Sequence, residues 1–304
     1  MEFLKHFERP DVRNPVFMFA FAGWTDAAES ATHALKYVVQ QFGATKFAEV
    51  DPEEFYDFTQ VRPQTGYDAD GNRKITWPAN QFFFWKSEGD AEDIVVFTGI
   101  EPSLKWRTFS ESLVHLIKDL GTSRVVHVGA LLDAVPHTRE TRITGTATSP
   151  ELQALLKGVE MRRSRYVGPT GISGVLMDAL RRADVPSVSI WGHAPHYLQV
   201  APNPKVSLRL VEAMEQIVRV RIDAGALRSQ GASFERRVAQ ALLNEADVAN
   251  YVRRLEAQWD RALGSGGTAD DDGIEMPDPQ EAVRDLEEFL RRSRKDDSSS
   301  GTTE

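Results

Sequence analysis

Pro15-Val16-Phe17-Met18-Phe19-Ala20-Phe21-Ala22-Gly23 is an uncharged run closed by a glycine. A short, continuous apolar run of this kind reads as a strand buried on both faces. Residues 26–42 follow with apolar side chains at Ala27, Ala31, Leu35, Val38, Val39 and Phe42, the stripe of an amphipathic helix. Strand then helix recurs along the chain. Further strands are predicted over 45–50, 81–86, 93–99, 124–131 and 185–191. Helices are predicted over 109–120, where Leu113, Leu116, Ile117 and Leu120 precede Gly121, and over 150–156, 206–224 and 230–263. This alternation predicts an α/β fold, a three-layer α/β/α domain with C-terminal helices added. Residues 59–78 read as a hairpin turning at Asp70-Gly71-Asn72, and the stretch 59–86 therefore predicts a mixed sheet.

Three regions are expected: an α/β/α core over 1–228, a C-terminal helical segment over 229–263, and an appendage over 264–304. The appendage opens with Gly264-Ser265-Gly266-Gly267-Thr268 and Asp270-Asp271-Asp272, the composition of a flexible acidic linker. Asp278, Pro279 and Glu281 then form a helix start, with Val283, Leu286, Phe289 and Leu290 on one face. Such a small amphipathic helix is expected to dock on the body or on a neighbouring subunit. Residues 296–304 have the composition of a disordered tail.

The chain has 304 residues, 41% of them hydrophobic, enough for a sizeable core. No apolar run reaches the roughly 18 residues of a membrane span, and the first residues lack a secretory signal. Cysteine is absent, which excludes disulfides and thiolate catalysis and agrees with a cytoplasmic protein. The net charge is −9, and residues 264–304 hold 12 acidic against 5 basic residues, a net of −7. Neither part makes a basic field, so neither nucleic acid nor membrane is expected as a partner.

Gly168-Pro169-Thr170-Gly171-Ile172-Ser173-Gly174 opens another apolar-periodic run. A glycine-rich turn entering a helix presents unpaired N–H groups and the positive end of the helix dipole. It either holds an anion or carbonyl oxygen, or it uses Gly171 and Gly174 for tight packing. Three polar clusters sit at predicted strand ends, where open α/β sheets build their sites. They contain Trp24 and Asp26, then Glu101, then His137 and Arg139. Trp24, Glu101, Gly129 and Gly171 are expected to converge on one pocket, with Asp26, His137, Arg139, Thr170 and Ser173 as further lining. Asp26 either caps the following helix or lines the cleft. Glu101, held extended by Pro102, is either a base or hydrogen-bond acceptor, or the partner of Arg107 or Arg139. His137 either does acid–base work, with Asp133 near in sequence, or braces its loop. Ser173 is no nucleophile elbow, because Val175 stands where glycine is needed. His193 and His196 are split by Pro195 and lack an acidic third ligand. No metal and no cofactor is expected, and the two histidines read as pocket lining or subunit contact.

Six pieces, taken together and in order, resemble the proteasome assembly chaperone 2 family in its bacterial, mostly actinobacterial branch. They are Phe21-Ala22-Gly23-Trp24-Thr25-Asp26-Ala27-Ala28, Gly99-Ile100-Glu101-Pro102, Val128-Gly129-Ala130-Leu131, Pro136-His137-Thr138-Arg139, Gly168–Gly174 and Trp191-Gly192-His193-Ala194-Pro195-His196-Tyr197. The resemblance implies a phosphorylase/hydrolase-like α/β/α core and a homo-oligomer such as a trimer. It also implies a protein-binding or assembly-chaperone-like role with a protein partner. A hydrolase or transferase using Glu101, His137 and the glycine-rich turn is the alternative. The ATP-grasp ligase label given to some bacterial members is not expected to apply. The chain has no phosphate loop, no paired carboxylates for magnesium and no lysine within the motif clusters. It ends Gly301-Thr302-Thr303-Glu304, so the hydrophobic–tyrosine–any-residue tail of some relatives is not expected to dock here.

Overall fold

A computed structural model of the protein describes residues 3–89, 91–161, 166–198, 200–242 and 246–264. The chain runs through β1 (Leu4–His6), β2 (Val16–Ala22), α1 (Ser30–Phe42), β3 (Thr45–Val50), β4 (Gln64–Tyr67), β5 (Arg73–Thr76), β6 (Asn80–Trp85) and β7 (Ile94–Ile100). It continues through α2 (Trp106–Asp119), β8 (Arg124–Asp133), β9 (Ile143–Ala147), α3 (Pro150–Gln153), β10 (Glu160–Met161), α4 (Ile172–Arg182), β11 (Ser187–Pro195), α5 (Pro204–Val218), α6 (Gly225–Leu242) and α7 (Ala246–Gly264). Nine strands form one sheet in the order β1-β3-β6-β7-β2-β8-β11-β9-β10. At its centre β7, β2, β8 and β11 are parallel. The flanks β6, β3 and β1 are antiparallel to their neighbours, as is β9 to β11.

The opening run sits at the middle of this sheet, and its alternation sets the layers. Val16, Met18 and Ala20 face one core with Leu35 and Val38 of α1 and Leu210 and Met214 of α5. Phe17, Phe19 and Phe21 face the other, with Phe109 and Leu113 of α2 and Leu176 and Leu180 of α4. Successive strand side chains point to opposite faces, so a strand apolar throughout requires helices on both sides. The α/β fold with a mixed sheet is the architecture expected from the sequence.

The mixed character has a different origin from the one expected. The hairpin β4–β5 forms a two-stranded sheet of its own, and all its residues are exposed. Its large apolar side chains, Tyr67 and Ile75, are 78% and 54% exposed, so it buries no face against the main sheet. Only β6, with Phe82 fully buried, joins the sheet, antiparallel to β7. The helices near the C-terminus are also cut differently. Asn203 accepts the N–H groups of Lys205 and Val206 to cap α5, which ends where Arg219 turns left-handed at φ 55°. Of the helix predicted over 230–263, the described residues form α6 and α7, and α6 runs across the expected boundary at 228. The helix predicted over 278–292, with the rest of 265–304, lies outside the described residues. Among the described residues no helix is long and apolar enough to cross a membrane.

Candidate functional site

The parallel strands β2 and β7 end side by side, and the chain leaving each is bonded to its neighbours. Glu101 N–H donates to the Ala22 carbonyl at 3.0 Å, and Ala130 N–H donates to the Thr25 carbonyl at 2.9 Å. Behind Glu101 a brace fixes the end of β7. Ile100 N–H donates to Asn80 Oδ1 at 2.7 Å, Asn80 donates to the Tyr56 hydroxyl, and that hydroxyl donates to the Ile100 carbonyl at 2.6 Å. Burial pushes the Tyr56 phenol above its usual range and the Glu101 charge adds to the rise, against the opposing Asn80 bond. The phenol therefore stays a donor.

Glu101 is thereby aimed at the glycine-rich turn. Its Oε1 accepts the N–H of Ile172, the first residue of α4, at 2.7 Å. Gly171 at the N-cap has no side chain to do this, and Glu101 stands in for it from another part of the fold. The anion expected at this turn is the chain's own carboxylate. Close approach is the reason for glycine here: a Cβ on Gly171 would lie 2.9 Å from Glu101 Oε1, 3.4 Å from Thr25 Cγ2 and 3.5 Å from the Trp24 ring. Ser173 is buried, with its Oγ 3.3 Å from Thr25 Oγ1. Thr170, Gly174 and Val175 line one wall of a groove of about 610 Å³ between α4 and α2, with Arg107, Ser110 and Glu111 opposite. Trp24, Glu101, Thr170, Gly171 and Ser173 thus belong to one neighbourhood. Gly129, one residue before Ala130, adjoins it through β8, although its own open face meets Trp191 and His127.

Asp26 lies beneath this neighbourhood, 6% exposed. Its carboxylate accepts Ala31 N–H at 2.6 Å, Thr32 N–H at 3.3 Å and the Thr32 hydroxyl, capping α1 from the far side of a seam. The seam holds two successive left-handed residues, Ala28 at φ 50° and Glu29 at φ 49°, a conformation that residues with a side chain seldom adopt. Burial raises the Asp26 carboxyl above its usual value, against the Thr32 and Ala31 bonds. A carboxyl raised on folding contributes stability that is full below its unfolded value of about 4 and is lost as pH climbs through the folded value. Asp26→Asn keeps an acceptor and removes the charge, so its stability relative to the parent should rise as pH climbs above about 4. Asp26→Ala should cost about 1–2 kcal/mol below about pH 4 through the lost cap and less as pH rises, because it too removes the titrating carboxyl. Denaturant melts of the three proteins across pH check this, and a flat difference between the Asn variant and the parent would refute the raised carboxyl.

His137 and Arg139 do not join this site. His137 Nδ1 lies 2.7 Å from the Tyr197 hydroxyl, and the His137 carbonyl accepts from Lys205 of α5 at 2.5 Å. Burial, then the Lys205 charge, lowers its basicity. Arg139 forms a two-pronged pair with Asp260 of α7 at 2.8 and 2.9 Å. Asp133 serves His193 rather than His137. The pocket of Glu101, His137 and the glycine-rich turn expected for a hydrolase or transferase is therefore not assembled. Glu101 is spent on α4, which packs on one face of the sheet, and His137 is spent beside α5, which packs on the other.

Two arrangements escaped the sequence. His193 Nδ1 lies 2.7 Å from Asp133 Oδ2, and its Nε2 lies 2.9 Å from Thr144 Oγ1, an Asp–His–hydroxyl relay that ties β8, β11 and β9 together. Burial raises the Asp133 carboxyl, but the His193 bond and charge outweigh it and hold the group below its ordinary value. The signal available was the alternation of β11 around His193; the unrecognised β9 hid the third member. His127, in the middle of β8, packs between Phe19 and Trp191 and meets Ser189 Oγ at 2.8 Å. Burial lowers its pKa to about 3, so it is a neutral core residue. Among the described residues no group of three possible metal ligands occurs.

Several large apolar side chains near the Glu101 neighbourhood are exposed. Trp24 is 50% exposed, Leu104 50%, Tyr166 44% and Val167 96%. They stand on the loops after β2 and β7 and before α4.

The PAC2 family profile matches residues 20–242. Among solved structures, a PAC2 family protein from Streptomyces avermitilis is 38% identical, with a TM-score of 0.70 over 78% of this chain and 99% of that one. A proteasome-assembly chaperone homologue from Mycobacterium tuberculosis is 34% identical, with a TM-score of 0.69 over the same shares, 78% and 99%. An archaeal proteasome activator from Pyrococcus furiosus is 20% identical at a TM-score of 0.63, over 78% of this chain and 97% of that one, a likeness of fold. A comparison with curated proteins finds no match. The profile spans most of the sheet, the glycine-rich turn and both faces of helices, and the chain belongs to the PAC2 family.

Proposed function

We propose that this protein is an assembly-chaperone-like binding protein that seats a proteasome subunit on the rim formed by Trp24, Leu104, Tyr166 and Val167. The observation that carries the proposal is that these large apolar groups are exposed on the loops that follow β2 and β7 and precede α4, the segments that meet at Glu101 and Gly171. Exposed apolar groups set among polar ones mark interaction surfaces more often than catalytic ones. The floor beneath them is rigid, because Glu101 locks α4 to the end of β7. The similarity to a proteasome-assembly chaperone homologue names the class of partner. On this proposal residues 1–228 are the docking body, residues 229–263 a helical attachment, and residues 264–304 an acidic appendage. The protein works in the cytoplasm as a homotrimer.

The test mixes purified protein with isolated proteasome α subunits of an actinobacterium and follows co-elution by size exclusion. Co-elution is expected, and Leu104→Asp with Val167→Asp should weaken it at least about tenfold while leaving the melt unchanged, as surface substitutions do. No co-elution, or binding indifferent to both substitutions, would refute the rim. Light scattering should give three times the 34.0 kDa chain mass, and a monomer would refute the trimer.

A further inference from the structure

Asp133, His193 and Thr144 come from neighbouring strands, in the order β8, β11 and β9. Asp133 is held ionised. Burial raises its carboxyl, but the His193 bond and charge, with the Ala134 N–H and the Arg142 charge, outweigh it. An ionised carboxylate can only accept, so His193 Nδ1 carries the proton that meets Asp133 Oδ2 at 2.7 Å. In the neutral ring the opposite nitrogen, Nε2, then offers only a lone pair. The Thr144 hydroxyl, 2.9 Å away, is its donor. Thr144 is half-buried, and its cross-strand neighbour does not cover it. That neighbour is Trp191 of β11. The Trp191 ring leans the other way, over Gly129 of β8, where a Cβ would lie 2.7 Å from it. Arg142 stands two residues before Thr144, on the same face of β9. Its Nε and Nη2 bind Glu160 Oε2 at 2.8 and 2.6 Å, and its Nη1 has no hydrogen bond among the described residues.

We propose that Thr144 is an acyl-accepting nucleophile, with His193 as its general base, Asp133 as the residue that positions the imidazole, and an activated acyl ester as the substrate class. In the step, Thr144 Oγ bonds to the ester carbon while His193 Nε2 takes the hydroxyl proton. Negative charge develops on the carbonyl oxygen, and Arg142 Nη1 is the donor that meets it. The bond from that carbon to the leaving oxygen then breaks, and His193 returns the proton to the leaving oxygen. An alcohol departs and the acyl group stays on Thr144 as an ester. Nothing is oxidised or reduced. The site shares no residue with the Trp24 rim or with the Glu101 neighbourhood, so it stands or falls independently of both.

The test incubates the full chain with p-nitrophenyl acetate and maps the acetylated residues by mass spectrometry over time. Thr146 is the internal reference, because it is exposed and lies two residues further along the same face of β9, outside the relay. Thr144 should acetylate at least about a hundredfold faster than Thr146, the scale of general-base assistance. Thr144→Ser should keep the reaction. Thr144→Val, which has the same shape, should lose it while the lysines are acetylated as before. Asp133→Asn should slow acetylation of Thr144 at least about tenfold against the same lysines, because the imidazole loses its tautomer and orientation. Thr144 acetylated no faster than Thr146 would overturn the proposal and leave the relay a tie between strands. Acetylation of Thr144 as fast with Asp133→Asn as in the parent would overturn it too. The comparison of Thr144 with Thr146 needs no substitution, so it decides even where a variant fails to fold.

Discussion

Phe97→Ala should cost about 3–5 kcal/mol, the range for truncating a fully enclosed aromatic residue. Phe97 is 0% exposed in the middle of β7. Its ring meets Phe82 at 4.8 Å, Phe21 at 5.0 Å and Phe109 at 6.4 Å, so it joins two strands to α2. Removing it leaves a void that rigid neighbouring rings cannot close, because each is held by further aromatic contacts. Against a total stability of about 5–15 kcal/mol, the loss takes a large share. Guanidinium melts should show the midpoint falling with an unchanged slope. A loss below about 1 kcal/mol would mean that the cluster collapses onto the gap. Tyr67→Ala on the exposed hairpin should change stability by less than about 0.5 kcal/mol.

That asymmetry between Phe97 and Tyr67 explains what was legible in the sequence. Central strands had to be apolar on both faces, so β2 and β7 announced themselves as uncharged runs, and β8 as one with charges only at its ends, Arg124 and Asp133. The helices α1, α2 and α4 carried a single apolar stripe each, because one face packs and the other is wet. At the edges the rule weakens. The strand β1 is Leu-Lys-His and β9 is Ile-Thr-Gly-Thr-Ala, each with one large apolar side chain, too few to show its period. Their pairing is fixed by neighbouring strands rather than by their own composition.

The site was half legible. Glycine-rich turns and strand-end polar residues mark places, and Trp24, Glu101 and Gly171 were found that way. Which polar group answers which is decided by distant segments. Glu101 reaches Ile172 across 71 positions, and Arg139 reaches Asp260 across 121. Nothing local to Pro136-His137-Thr138-Arg139 says that its partners are Tyr197, Lys205 and the distant helix α7. Asp26 was read with both its possibilities open, and the structure places it in the cap.

Gly171→Val joins stability and function in one substitution. The φ of Gly171 is −87°, so no left-handed strain is involved and the objection to a side chain is space alone. The new Cβ would stand 2.9 Å from Glu101 Oε1, and the two γ-methyls would press on Thr25 and the Trp24 ring. Glu101 cannot retreat without releasing the Ile172 N–H, and the Asn80–Tyr56 brace fixes the strand end behind it. Overpacking of this kind costs about 1–3 kcal/mol, and the loss of a charge-assisted cap places Gly171→Val near the upper end. Gly171→Ala, with the Cβ alone, should lie near the lower end. The displaced Trp24 would also spoil the rim, so the Val variant should lose binding to proteasome α subunits at least about tenfold even below its melting transition. Glu101→Ala separates the two effects. In a Gly171→Val background it removes the clash, so the double variant should be more stable than the sum of the two single losses predicts. Strict additivity, or a Gly171→Val chain with the parent's melting temperature, would show that Glu101 does not close the turn.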